Sequence, residues 1–175
     1  IRFGGCNLSC TWCDTDFSKW DKMTISEIME ILKPWSTRRI IYTGGEPAMQ
    51  KLRPLSDALH SKGYDIAIET NGTIELEEGL VDWICVSPKN MASVHPEFPI
   101  KQTQGDELKV VYTGQDLSMY DDLKKGFDNL FLQPCYNEAK DPGTNGKTFH
   151  STFDMVMQNP GWNLSLQTHK WMGVD

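Results

Sequence analysis

The sequence predicts an α/β chain: a partial (βα) barrel, open or partly closed, of mainly parallel strands with reduced helical content. Two observations carry this expectation. Short apolar, β-branched runs alternate with helical patterns along the whole length, as in a parallel sheet with crossover helices. Polar, chemistry-bearing groups also fall just after those runs. In parallel architectures the C-terminal strand ends share one face, and sites are built there. The 175 residues, 39% hydrophobic and 23% charged, are enough for one domain with a sizeable core. Residues 1–175 are therefore read as a single domain, without repeat, low-complexity tract or linker.

Each element has its own signal. Residues 1–3 read as a first strand. Thr24-Ile25-Ser26-Glu27 is a capping-box signature, after which Ile25, Ile28, Met29 and Leu32 keep helical spacing. Residues 39–43 form a second strand, ended by Gly44-Gly45-Glu46-Pro47. Leu52, Leu55, Ala58 and Leu59 predict a helix that Gly63 stops. Residues 65–69 are a third strand running into Thr70-Asn71-Gly72. A short acidic helical turn near residues 75–80 precedes a fourth strand at residues 83–86, ended by Ser87-Pro88-Lys89. Residues 90–105 read as a long irregular connection, and residues 108–112 resume the strands. Leu117, Tyr120, Leu123 and Lys124 fit a helix closed by Gly126. Residues 130–132 are a sixth strand, followed by Gln133-Pro134. Pro142-Gly143-Thr144-Asn145-Gly146 reads as a loop. Phe153, Val156 and Met157 predict one more helix, and residues 162–166 a last strand ending in Gln167-Thr168-His169-Lys170.

Charge and targeting narrow the function. A net charge of −7 argues against a general phosphate-binding surface and so against nucleic acid as partner. A small anionic substrate held by a few local basic groups remains compatible with it. No apolar run approaches the roughly 18 residues of a membrane helix, and no signal peptide is visible, so no membrane partner is expected. The chain starts without Met, inside a strand-like run, and a native segment is expected before Ile1. Five cysteines, three of them clustered, fit a reducing compartment better than a disulfide framework. The expected location is the cytoplasm.

The cluster is Cys6-Asn7-Leu8-Ser9-Cys10-Thr11-Trp12-Cys13. Three thiolates this close can converge on one metal centre. A structural zinc site takes four ligands, as does an ordinary iron–sulfur cluster, so three leave one metal corner open. Half of a zinc ribbon and a redox Cys-x-x-Cys pair are the competing readings. The ribbon lacks partner spacing at Cys85 and Cys135, and a dithiol has no use for Cys6. An iron–sulfur site is the better reading. Cys85, between Ile84 and Val86, reads as a buried core thiol; Cys135 is read similarly, nearer a pocket rim.

Other motifs are ambiguous singly. Gly44-Gly45-Glu46-Pro47 is by itself a turn; functionally its glycines let backbone approach a ligand, with Glu46 or the main chain binding an amine. Glu69 ends an apolar strand, where an unpaired carboxylate is costly to bury; its bland reading is a salt bridge to a neighbouring strand. Lys89 is either a surface lysine or a pocket cation. His169, beside Gln167 and Thr168, leans functional. The six tryptophans are read as mostly core or rim, and Lys124-Lys125 as a solvated helix end.

Cys6-x-x-x-Cys10-x-x-Cys13 followed by Gly44-Gly45-Glu46-Pro47 resembles the radical S-adenosylmethionine enzymes. Arg2-Phe3-x-Gly5-Cys6, Cys13-Asp14-Thr15, Glu69-Thr70-Asn71-Gly72, Ser87-Pro88-Lys89 and Gln167-Thr168-His169-Lys170 resemble, within them, the 7-carboxy-7-deazaguanine synthase family, over essentially the whole chain. The resemblance implies that Cys6, Cys10 and Cys13 hold a [4Fe–4S] cluster whose fourth iron chelates S-adenosylmethionine. It implies reductive cleavage to a 5′-deoxyadenosyl radical and hydrogen abstraction from 6-carboxy-5,6,7,8-tetrahydropterin. Ring contraction with loss of ammonia then yields 7-carboxy-7-deazaguanine. The radicals come from cofactor and substrate, so no side chain is expected as catalyst. The family also uses Mg²⁺, with Thr15 the expected ligand, since a hydroxyl oxygen suits a hard cation. By the same resemblance Trp12, Cys13 and Asp14 lie against the adenosyl ligand, and Gly45, Glu69, Asn71, Ser87, Lys89 and Gln133 hold its methionine and ribose parts. Arg2, Thr43 and His169 bind the carboxypterin, Arg2 being suited to a bidentate carboxylate pair. A homodimer and a flavodoxin-type reductant are implied as partners. Two other readings compete: an activase of a glycyl-radical enzyme, which shares the cysteine spacing, and a zinc-stabilised, non-catalytic binding module. Metal content separates the last from the rest.

Overall fold

A computed structural model of the chain describes residues 1–16, 19–89, 97–136 and 142–172. Seven strands make one sheet: β1 (Arg2–Phe3), β2 (Arg39–Gly44), β3 (Asp65–Thr70), β4 (Trp83–Val86), β5 (Gly105–Tyr112), β6 (Phe127–Pro134) and β7 (Asn163–Leu164). Their spatial order is their sequence order, and every neighbouring pair is parallel. Crossovers in such a sheet share one hand. A strand order that never reverses therefore carries its connections over one face and leaves the other for a site. β1 and β7 remain as edges, so the barrel is partial, as the sequence predicts.

Alternation along the strands divides the two faces. Ile40 and Tyr42, Ile66 and Ile68, then Val86, Leu108, Val110 and Leu132 are buried on the helix side. One half of this core packs β2 and β3 against Leu55 and Leu59 of α2 (Arg53–His60) and against α1 (Ile25–Leu32). The other half gathers β4–β6 with Tyr120 and Trp162. The opposite face carries Thr43, Glu69, Cys85, Lys109, Val111 and Gln133, brought side by side by the register.

The capping box forms: the Glu27 N–H donates to Thr24 Oγ1 at 3.3 Å, and the Thr24 N–H donates to the Glu27 carboxylate at 2.7 Å. Five expectations change. Residues 75–80 are an irregular turn rather than helical, held by the Arg53 guanidinium on the Glu77 carboxylate and on the carbonyls of Glu78 and Gly79. The helix expected over residues 117–126 is two 3-10 turns, Leu117–Tyr120 and Leu123–Gly126.

The loop expected at residues 142–146 opens a long helix, α3 (Pro142–Gln158). A proline is at home in a first helical turn, so here the breaker marks a start. In α3 Val156 meets the core while Phe153 and Met157 face outward. The last strand shortens to Asn163–Leu164, and Gln167 leads into α4 (Thr168–Met172). The tryptophans also differ from expectation: Trp162 is core, but Trp20, Trp35 and Trp83 are exposed. Residues 90–96 of the long connection lie outside the described residues.

Of the glycines, Gly45 is packed most tightly against its surroundings. A Cβ there would lie 1.8 Å from the Gly5 carbonyl oxygen, a backbone atom that cannot swing aside. Gly45→Ala is predicted to destabilise the chain by about 3 kcal/mol or more, at the upper end of overpacking costs. Thermal or urea denaturation checks this; an unchanged midpoint would contradict the close approach.

Candidate active site

Where β1 and β2 end, the main chain joins them twice more. The Gly45 N–H donates to the Phe3 carbonyl at 3.0 Å and the Glu46 N–H to the Gly5 carbonyl at 2.9 Å. The cysteine loop therefore starts from a fixed platform. Glu46 is fully buried. Its Oε1 accepts from the Thr70 hydroxyl at 2.7 Å and the Ala48 N–H at 2.9 Å, and its Oε2 from the Asn71 N–H at 2.6 Å. Burial pushes the Glu46 carboxyl up, and these donors pull the other way. The expectation that Glu46 binds a ligand amine is corrected: the carboxylate is spent on the protein itself, and it does not line the cavity.

A closed ring of hydrogen bonds ties the end of β3 to the same loop. Asn71 Nδ2 donates to Asn7 Oδ1 (3.0 Å), Asn7 Nδ2 to Thr73 Oγ1 (2.8 Å), and Thr73 Oγ1 to Asn71 Oδ1 (2.6 Å). Leu8 is buried beneath it, its N–H 3.4 Å from Cys6 Sγ, and the Cys13 N–H turns back to the Cys10 carbonyl at 3.1 Å.

These elements enclose a cavity of about 900 Å³, at the upper end of the size range of small-molecule sites. All fifteen residues proposed from the sequence line it: Cys6, Cys10, Trp12, Cys13, Asp14 and Thr15 from the loop, Arg2, Thr43, Gly45, Glu69, Asn71, Ser87, Lys89 and Gln133 from strands and strand ends, and His169 from α4. Burial is the main cause that raises the Cys6 and Cys10 thiols, and neighbouring thiols add to it. Sulfur donors of this kind fit iron held as a cluster, and iron cations would reverse that penalty. Among the described residues, no three His, Cys, Asp or Glu side chains converge on a single-ion position. Cys135 also lines the cavity, from the end of β6. Cys85 is buried as expected, its thiol pushed up to about 12 by burial.

The walls are charged. Glu69 Oε1 receives the Lys109 ammonium at 2.6 Å, and the Thr43 hydroxyl lies 3.5 Å from Glu69 Oε2. A salt bridge forms, but to β5, one strand beyond the neighbouring β4 where it was expected, and Glu69 also lines the cavity. Lys89 donates to Ser87 Oγ and lies 5.7 Å from the Trp12 ring centroid; burial lowers its pKa. Asp14 Oδ2 accepts from Gln167 Nε2 at 2.8 Å and Lys170 Nζ at 2.6 Å. Burial works to raise the Asp14 carboxyl, but those two hydrogen bonds and the Lys170 charge hold it below its ordinary value. Lys170 also sits 4.5 Å from the Tyr136 ring centroid. Arg2 approaches the Thr15 hydroxyl at 3.4 Å. Sequence reasoning missed Lys109. Its signal was the alternation in β5, where Leu108 and Val110 point to the core and Lys109 must point away.

A profile of the Radical SAM superfamily matches residues 1–96, which include the cysteine loop and the Gly-Gly-Glu-Pro turn. The chain is a radical S-adenosylmethionine enzyme, and membership implies a [4Fe–4S] cluster and S-adenosylmethionine. More narrowly, it belongs to the 7-carboxy-7-deazaguanine synthase family. A relative of that name from Bacteroides thetaiotaomicron is 41% identical over 99% of this chain and 86% of its own length. Another from Burkholderia multivorans is 36% identical over 99% of this chain and 87% of its own. The crystal structure of QueE from Escherichia coli superposes with a TM-score of 0.71 at 24% identity, covering 95% of this chain and 83% of that one; it bears out the fold. No helix among the described residues is long and apolar enough to cross a membrane.

Glu46→Gln tests the platform. A glutamine can accept from only one oxygen, so its amide would face the Asn71 N–H donor to donor. The variant is predicted to lose about 2 kcal/mol of stability, the cost of an unsatisfied buried donor, read by urea denaturation. A loss near zero would show that the carboxylate is not what holds these strand ends.

Proposed function

We propose that this enzyme converts 6-carboxy-5,6,7,8-tetrahydropterin to 7-carboxy-7-deazaguanine with loss of ammonia, using a [4Fe–4S] cluster, S-adenosylmethionine and Mg²⁺. The observation that carries the reading is that one cavity is lined by the cysteine loop and by every other residue the family pattern assigns. When bound, the cluster and S-adenosylmethionine supply the radical chemistry. The protein's work is to bind, orient and exclude water.

Cys6, Cys10 and Cys13 hold the cluster, and three ligands leave one iron for S-adenosylmethionine. Trp12, Asp14, Gly45, Asn71, Ser87, Lys89 and Gln133 hold that cofactor. Lys89, its charge half-committed to a serine hydroxyl and an aromatic face, suits a ligand carboxylate. Asp14 is kept ionised by Lys170 and Gln167 and fastens the Gln-Thr-His-Lys segment to the cysteine loop. Arg2, Thr43 and His169 bind the carboxypterin; Glu69, expected among the S-adenosylmethionine residues, is reassigned to join them, since its Oε2 accepts from the Thr43 hydroxyl. Thr15, next to Arg2, supplies an oxygen to Mg²⁺; a substrate carboxylate between the two cations would satisfy both. The chain works as a single domain in a cytoplasmic homodimer reduced by a flavodoxin-type protein.

Anaerobically reconstituted full-length protein, given S-adenosylmethionine, Mg²⁺, reductant and the carboxypterin, is predicted to release a deazapurine detectable by mass spectrometry. An intact cluster with no such product would overturn the reading, and stoichiometric zinc without iron would favour the binding module instead. Thr15→Ala is predicted to assemble the cluster normally and to lose most of the Mg²⁺ stimulation. Equal Mg²⁺ dependence in both proteins would remove Thr15 as a ligand.

A further inference from the structure

We propose that Lys109 is a positioning residue that fixes the direction and net charge of Glu69, and so tunes the cavity wall for an anionic substrate. The proposal rests on the reading of Glu69 as a substrate contact. The geometry comes from three consecutive parallel strands. Register sets Glu69 of β3 beside Cys85 of β4, and Cys85 beside Glu107 of β5. Lys109, two residues beyond Glu107, projects from the same face of β5 and one pleat nearer the strand ends. Its ammonium spans the intervening strand to reach Glu69 Oε1 at 2.6 Å. The residue between them is the small, buried Cys85, which leaves the crossing open.

The Lys109 side chain is 16% exposed and that of Glu69 44%, so the cation is the more buried of the two, although both line the cavity. An ammonium placed this deep needs an anion. Glu107, its neighbour on β5, accepts the Trp83 indole N–H at 2.8 Å, and Lys89 contributes repulsion. Glu69 is the partner that meets the need. The ammonium takes only Oε1. Oε2 accepts the long hydrogen bond of the Thr43 hydroxyl at 3.5 Å, so the pair sets the direction of the carboxylate.

Charge gives the arrangement its purpose. The carboxypterin carries a carboxylate, and a bare Glu69 in a part-buried wall would repel it. Paired with Lys109, Glu69 presents an acceptor oxygen without a net negative charge. Lys109 does this with its ammonium already bound to Glu69 Oε1.

Five reconstituted full-length enzymes test the idea: wild type, Lys109→Met, Glu69→Gln, the double variant and, as the conservative control, Lys109→Arg. Methionine keeps the apolar stem over Cys85 and removes the charge. Lys109→Met is expected to raise KM for the carboxypterin about tenfold or more, the scale of losing a charged hydrogen bond, while the dissociation constant of S-adenosylmethionine moves by no more than about twofold. Lys109→Arg should recover most of the loss. In the Glu69→Gln background, Lys109→Met should add little, because its route of action is already gone. Fully additive penalties, or equal weakening of both ligands, would overturn the proposal and leave Lys109 a general stabiliser. A Glu69→Gln enzyme with wild-type KM would overturn the reading of Glu69 itself, and this proposal with it.

Discussion

The buried carboxylate of Glu46 is the constraint on which the site depends. It receives the Thr70 hydroxyl and the Asn71 N–H from the end of β3 and the Ala48 N–H from its own turn. Its own N–H meanwhile reaches the Gly5 carbonyl. One residue thus fixes the ends of β1, β2 and β3 relative to each other. A neutral or shorter side chain could not satisfy all these donors, and unsatisfied donors in a core are expensive. Gly44 and Gly45 complete the constraint by sterics: Gly44 adopts a φ of 122°, and neither position has room for a Cβ against β1. The cysteine loop leaves from this junction, so its sulfurs inherit the rigidity of the sheet. That matters for radical chemistry, in which a misplaced ligand would waste the cofactor.

Around the platform, charge is arranged locally against the overall sign. The chain carries −7, yet the cavity is lined by Arg2, Lys89, Lys109 and Lys170. Two of these are committed to acids, Lys109 to Glu69 and Lys170 to Asp14. The second pair bridges the gap that the sheet leaves open. β1 and β7 are not hydrogen-bonded neighbours, and Asp14, just after the cysteines, reaches Gln167 and Lys170 from beyond β7. The mouth of the partial barrel is therefore crossed by side chains where a closed barrel would use backbone.

The strands were legible because parallel strands buried by crossover helices read as apolar runs, and all seven stand within a few residues of where periodicity put them. Helix boundaries were less so. Pro142-Gly143 has the composition of a loop, and only packing of α3 on β6 and β7 decides that it begins a helix. The cavity lining was legible because chemistry-bearing residues at parallel strand ends must share a face. What one sequence does not reveal is the direction of each carboxylate. Glu46 follows β2 and Glu69 lies near the end of β3, yet one turns into the core and one toward the cavity. The difference lies in donors twenty or more residues away, which only the fold brings near.

In the proposed site three cysteines leave one iron of the cluster open to S-adenosylmethionine, although a fourth thiol, Cys135, lines the same cavity. Electron paramagnetic resonance of the reduced, reconstituted protein, recorded before and after S-adenosylmethionine is added, tests it most directly. The expected result is a cluster signal whose g-values shift on addition, in the wild type and in Cys135→Ala alike. A spectrum indifferent to S-adenosylmethionine, or one that responds only when Cys135 is removed, would mean that the fourth corner is closed by protein and would contradict it.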